Sequence, residues 1–179
     1  MSIINVVGAK IWGGGEQYVY DICKQLQQRH RTAYILVDQS NEDMQSRYAQ
    51  VGHVMTANLY TLKGFLSVNA VAKQMKEQGI NTIVCHSGKY ILFCIALKQL
   101  TGAKLVFIKH NLVPGKTDIY HRWINAQVDA FVCVSKLVYD DLMTPAIKDT
   151  SKYHVVYNGI DPNRFQSFSD AVPMKYKVR

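Results

Sequence analysis

The chain has 179 residues, 48% hydrophobic and 19% charged, proportions that exclude a disordered chain and leave room for one substantial domain but not two large ones. Its 21 Lys and Arg against 13 Asp and Glu give a formal net charge of +8, which favours an anionic partner, although the excess is scattered and gathers only at Lys175, Lys177 and Arg179, the pattern of a solvated surface. No apolar run reaches membrane-spanning length, because Tyr90 to Leu97 stops at Lys98, and neither a basic segment nor a small-residue cleavage site brackets Ile3 to Val7 as in a signal peptide. Cys23, Cys85, Cys94 and Cys133 sit inside apolar runs without C-x-x-C spacing. They read as buried free thiols of a reducing compartment, and a metal site is not expected.

Ile3, Ile4, Val6 and Val7 form a short apolar run, the mark of a strand buried on both faces of a parallel sheet. Gly8 opens a loop that ends in Gly13, Gly14 and Gly15. Val19, Ile22, Cys23 and Leu26 then repeat at helical spacing up to about Arg29 to Arg31. Thr32 to Val37 is a second strand, Ser40 to Gln50 a loop with a short helix, and Val51 to Met55 a weakly signalled third strand. Phe65, Val68, Ala72 and Met75 recur at helical spacing, with Gly79 where a C-terminal cap belongs. Ile80 to Cys85 is the fourth strand, followed by His86, Ser87 and Gly88. The helix Lys89 to Leu100 is apolar nearly all round, which implies burial on several sides, and Gly102 closes it. Lys104 to Ile108 makes a fifth strand before His110 and Asn111. A loop with Pro114 and Gly115 leads to a helix around Asp118 to Gln127. Ala130 to Val134 is a sixth strand, Ser135 caps a helix to about Met143, and His154 to Tyr157 is a seventh strand running into Asn158 and Gly159.

Strands and helices alternating in this way imply a Rossmann-like three-layer α/β/α sandwich with a mostly parallel sheet of about seven strands and right-handed crossovers. Ligands of such sheets bind beyond the carboxyl ends of the strands. Gly13 to Glu16, His86 and Ser87, His110 and Asn111, and Ser135 and Lys136 all fall on that rim.

The glycine loop carries the clearest chemistry. Bare backbone lets a ligand approach closely, and the helix that follows directs free N–H groups and its positive dipole end at the same place, which suits a phosphate or carboxylate. A tight turn that merely packs strand against helix fits the same residues. Glu16 either suits the dipole or hydrogen-bonds a ligand hydroxyl. A P-loop is excluded, because Glu16 and Gln17 stand where Lys and Ser or Thr are needed. The dinucleotide fingerprint is incomplete: Gly8 and Gly13 occupy its first and sixth positions, but Lys10 holds the third, and Asp38 is the only candidate for its acidic residue.

His110 begins a loop after an apolar strand and can either bond a hydroxyl or stabilise developing charge, or be satisfied by nearby backbone. His86 is a weaker candidate of the same kind. Ser135 reads most economically as a helix cap, and Lys136 as a first-turn residue able to meet an anion. No G-x-S-x-G elbow exists, Glu16 is the single acid on the rim where a hydrolase wants two, and no Asp-x-Asp occurs to hold a metal-bound diphosphate.

Taken together, Gly13-Gly14-Gly15-Glu16 with its helix, His110 after the fifth strand, Val132-Cys133-Val134-Ser135 and Val155-Val156-Tyr157-Asn158-Gly159-Ile160-Asp161 followed by Phe165 resemble the N-terminal domain of family-4-type glycosyltransferases of the GT-B fold. The resemblance implies an enzyme that transfers a sugar from a nucleotide-diphosphate donor to an acceptor hydroxyl with retention, and it implies no obligatory metal or cofactor. His110 would lie near the transferred sugar as the catalytic residue. Gly13, Gly14, Gly15, Glu16, His86, Asn111, Ser135, Lys136 and Asn158 would bind substrate. Residues 1–166 would form the acceptor-side domain and 167–179 the start of an interdomain linker, so that the chain would be a fragment, inactive without a second, donor-binding domain.

The acceptor would be a glycan, a lipid-linked sugar or a small molecule. The expected location is cytoplasmic, with peripheral contact to an anionic inner membrane face, and nucleic acid is not an expected partner because basic and aromatic residues are not interleaved. A sugar-nucleotide epimerase half, and a non-catalytic module for a phosphorylated ligand or anionic surface, are the alternatives.

Overall fold

The computed structural model describes residues 2–59, 64–143, 147 and 150–159. In chain order the described residues form β1 (Ile3–Val7), α1 (Gly14–Gln28), β2 (Tyr34–Asp38), α2 (Glu42–Tyr48), β3 (His53–Ala57), α3 (Gly64–Glu77), β4 (Thr82–Cys85), α4 (Ile91–Thr101), β5 (Lys104–Lys109), α5 (Ile119–Gln127), β6 (Ala130–Cys133), α6 (Lys136–Leu142) and β7 (Tyr153–Val155). The seven strands make one sheet in the order β3-β2-β1-β4-β5-β6-β7, and every pairing in it is parallel. The expected α/β architecture is therefore present, with a wholly parallel sheet.

Alternation along the strands divides the core into two layers. Val7, Ile35 and Val37 face α1 and α2, where Val19, Cys23, Met44 and Tyr48 cover them. Ile4, Val6, Ile83 and Leu105 face the other way, under Val68, Met75, Phe93, Leu97, Ile124 and Val138 of α3 to α6. Each wholly buried side chain of this size, such as Leu97, contributes about 1.5–3 kcal/mol. The burial of Ile91, Phe93, Cys94, Ile95 and Leu97 in α4 agrees with its expected all-round contact.

Local chemistry sets the ends of these elements. Gly79 and Gly102 take the left-handed conformation, with φ of 63° and 71°, that lets a helix terminate without a Cβ clash. Gly52 turns the chain into β3 where a side chain has no space, since a Cβ there would lie 2.5 Å from Ile35 Cδ1 and 2.7 Å from the Ala33 carbonyl oxygen. That turn explains why β3 starts at His53 and not at Val51, whose N–H still bonds the Tyr48 carbonyl at the end of α2. Several strands are shifted by one or two residues at an end, among them β2, which starts at Tyr34, and β4, which starts at Thr82. Ser87 accepts the Lys89 N–H and opens a 3₁₀ turn, Gly88–Tyr90, so α4 begins two residues late. β7 ends at Val155, and Val156 to Gly159 after it are exposed and outside any strand.

Ile160, Asp161 and Phe165 of the final motif, the boundary at residue 166 and the basic tail lie outside the described residues. All four cysteines are free and buried.

Candidate active site

The strand order reverses between β1 and β4: β2 and β3 build outward on one side, β5 to β7 on the other. The carboxyl ends of β1 and β4 therefore flank a crevice, the usual ligand position in such sheets. The glycine loop leaves β1 there, His86 follows β4, and His110 follows β5, which pairs with β4. A cavity of about 300 Å³ opens at this point, lined among others by Gly14, Gly15, Glu16, His86, His110 and Asn111.

Gly13 is the N-cap of α1, so Gly14 and Gly15 are its first helical residues and their N–H groups have no partner within the helix. Nothing lies within 4 Å of a Cβ placed on Gly14, which leaves the helix tip bare. Glu16 turns back, and its Oε2 accepts the Gly13 N–H at 3.1 Å. Of the two roles open to it in the sequence, the contact observed is the helix-end one.

The loop before α1 is clamped. Trp12 packs against Tyr20 and Tyr48, with ring centroids 5.9 and 5.3 Å away, under the Arg47 guanidinium. The Tyr48 hydroxyl donates to the Glu16 carbonyl at 3.0 Å, and Asn41 Nδ2 donates to the Ala9 carbonyl at 3.0 Å.

On the opposite wall, His86 Nδ1 lies 3.1 Å from His110 Nε2 and His86 Nε2 lies 3.1 Å from Asn5 Oδ1. Tyr18 sets its ring edge-on to both histidines, with centroids 5.2 Å from His110 and 6.2 Å from His86. Burial, assisted by the charge His110 can carry, pushes the His86 pKa down to about 3. Burial lowers that of His110 as well. Both rings are thus neutral at neutral pH and serve as hydrogen-bonding groups. Asn111 and Lys89 are exposed and complete the rim.

The remaining rim residues stand elsewhere. Ser135 caps α6, its Oγ accepting the Val138 N–H at 3.2 Å, and Lys136 is exposed and paired with Asp140; neither lines the cavity. Asn158 is exposed in the stretch after β7. Asp38 is fully engaged in the fold. Burial would raise its pKa, but hydrogen bonds from Ser40 and from the Leu59 N–H outweigh that and hold it below the usual carboxylate value.

The profile of Glycosyltransferase Family 4 matches residues 12–164. The chain belongs to this family. Among curated proteins none matches its sequence. Solved structures of the same fold include a glycosyltransferase from Rickettsia africae, 18% identical with a TM-score of 0.80 over 96% of this chain and 46% of that one. HepE from Anabaena, crystallised with UDP and glucose, is also 18% identical, with a TM-score of 0.70 over 92% of this chain and 46% of its own. UDP-GlcNAc 2-epimerase from Neisseria meningitidis, bound to UDP-GlcNAc, is 10% identical, with a TM-score of 0.62 over 88% and 47%. The family-4 chain spans about half the length of each of these three structures, 46–47%. Among the described residues no group of three or more His, Cys, Asp or Glu could hold a metal ion, and no helix is long and apolar enough to cross a membrane.

Asn5 and Tyr18 are functional candidates that motif reading passes over. Asn5 had a visible signal: a polar residue inside the run Ile3 to Val7, 4% exposed in the structure, must find a buried partner. Tyr18 had none, since an aromatic residue in an amphipathic helix ordinarily means packing.

Proposed function

We propose that this chain is the N-terminal, acceptor-side domain of a transferase that moves a sugar from a nucleotide-diphosphate donor to an acceptor hydroxyl with retention, and that a second Rossmann-like domain completes the site. The observation that carries this reading is the bare tip of α1, at Gly14 and Gly15, facing the same cavity as His110. In such a transfer the bond from the anomeric carbon to the diphosphate breaks, the acceptor oxygen bonds that carbon, and its proton leaves with the departing phosphate. Charge develops on the diphosphate, and fixed N–H dipoles already pointing at it stabilise the transition state without reorganising. Family membership and the share of the GT-B structures that the chain spans support the need for a partner domain.

The acceptor side of the reading rests on a neighbouring cavity of about 280 Å³ between the loop after β5 and α5, lined by Phe107, Lys109, Tyr120, Ile124 and Phe131 among others. An apolar part of an acceptor fits it. Leu112, Ile119, Tyr120 and Trp123 are exposed beside it, as a peripheral contact with an anionic membrane on the cytoplasmic side would require.

The test uses the protein expressed from its complete gene. It should release nucleoside diphosphate from a nucleotide sugar in the presence of acceptor, and NMR of the product should show the donor's anomeric configuration. His110→Ala should slow transfer on the order of 10²-fold with little change in melting temperature, and residues 1–179 alone should be inactive. A protein that releases no nucleotide from any nucleotide sugar ends this reading. Incorporation of solvent deuterium at C2 of the sugar, without transfer, would favour an epimerase instead. Salt-sensitive binding to anionic vesicles with no sugar chemistry would favour a non-catalytic module.

A further inference from the structure

Four side chains form one hydrogen-bonded line that runs from the cavity wall into the core. Asn5 Nδ2 points at the buried Cys23 sulfur, 3.9 Å away, and its Oδ1 lies 3.1 Å from His86 Nε2. His86 Nδ1 in turn lies 3.1 Å from His110 Nε2. A neutral imidazole has one N–H and one lone pair, so the line can be wired in only two directions. The Asn5 amide chooses between them. With its NH2 turned to Cys23, its carbonyl oxygen faces His86 and can only accept. The His86 proton then sits on Nε2, its Nδ1 is the acceptor, and His110 must donate from Nε2.

We propose that Asn5 and His86 are positioning residues that hold His110 as the Nε2–H tautomer, leaving its Nδ1 lone pair to accept a hydrogen bond from a hydroxyl of the bound sugar or acceptor. The wiring stands on the geometry alone; the identity of the hydroxyl rests on the transferase reading above. The consequence is a division of labour inside one cavity. An anionic oxygen at His110 Nδ1 would set lone pair against lone pair, so phosphate belongs at the N–H groups of Gly14 and Gly15, and a hydroxyl belongs at the histidine.

The surrounding groups keep this arrangement neutral. Tyr18 from α1 faces both rings, and burial raises its pKa. Cys23 sits behind Asn5 with its thiol pushed up to about 12. Among the residues lining the cavity, Glu16 and Lys89 are the acidic and basic ones, the first tied to the Gly13 N–H and the second exposed on the rim. A histidine fixed in one tautomer through its second nitrogen is the same device that orients metal-bound and triad histidines.

Long-range ¹H–¹⁵N NMR of histidine-labelled protein reads the tautomers directly and needs no turnover. At pH 7 both His86 and His110 should show the Nε2–H form, and His86 should still be neutral at pH 6. A Nδ1–H form of His110, or a charged His110 at pH 7, overturns the wiring. In the protein from the complete gene, His86→Leu should lower kcat on the order of tenfold with KM nearly unchanged. His86→Asn, whose Oδ1 can take the place of Nδ1 as acceptor, should restore most of that loss. Wild-type kcat in His86→Leu overturns the positioning role. The predicted tautomers in a protein with no nucleotide-sugar chemistry would leave the wiring intact and overturn the ligand assigned to it, which separates the two failures.

Discussion

A methyl group added to Gly15 would sit 3.9 Å from Cδ2 of His110, so the first turn of α1 and the residue after β5 share one van der Waals boundary. A longer side chain at this position would point into the space between them. The contact depends on β4 lying between β1 and β5, and it joins the part of the site suited to negative charge to the part suited to a hydroxyl.

The Gly14 position separates binding from folding. Because no atom lies within 4 Å of a Cβ there, Gly14→Ala should leave the melting temperature unchanged or slightly raised, since alanine constrains the unfolded chain. Gly14→Val should fill the space over the helix tip and weaken binding of a nucleoside diphosphate to the protein from the complete gene on the order of tenfold, measured by calorimetry. Unchanged affinity with valine would remove the helix tip from the site.

Acid should destabilise the domain before its carboxylates titrate. His86 is held neutral in the fold down to about pH 3, whereas in the unfolded chain it takes a proton near pH 6.5. Above 6.5 both states are neutral and stability is flat. Between those values only the unfolded chain binds the proton, so stability falls as pH falls, by up to about 1.4 kcal/mol per pH unit. His110 acts in the same direction. Urea unfolding at pH 7, 6 and 5 should show this slope, and His86→Asn should reduce it to the part His110 contributes.

Asp129 ties three elements together. Its Oδ2 accepts the Leu105 N–H of β5 at 2.8 Å and the Lys98 ammonium of α4 at 2.7 Å, just ahead of β6. Asp129→Ala would leave the partly buried Lys98 without its carboxylate and the Leu105 N–H without an acceptor, at a cost of about 2 kcal/mol in urea unfolding. A loss within about 0.5 kcal/mol would mean that solvent replaces these bonds.

Ser135 is tested as a cap. Its Oγ accepts the Val138 N–H, so Ser135→Ala should cost about 1 kcal/mol of stability and Ser135→Gly only a few tenths. Equal costs for the two would show that the hydroxyl does something other than cap α6.

Much of the site was legible before any coordinates because its chemistry is local. Apolar runs of strand length, helical repeats and closing glycines are written in neighbouring residues, so the seven strands, the helix caps at Gly79 and Gly102 and the placing of Gly13 to Glu16, His86 and His110 just past strand ends follow from the order of the chain. Which strand ends become neighbours is a property of the whole sheet. The order β1-β4-β5 brings His86 against His110, sets Asn5 behind them and Tyr18 beside them, and leaves Ser135 and Lys136 beyond the cavity on β6's side of the rim. No spacing along the chain encodes those meetings, because the contacts of Asn5 with His86 and of His86 with His110 join residues 81 and 24 positions apart, and only burial of both sheet faces holds them together.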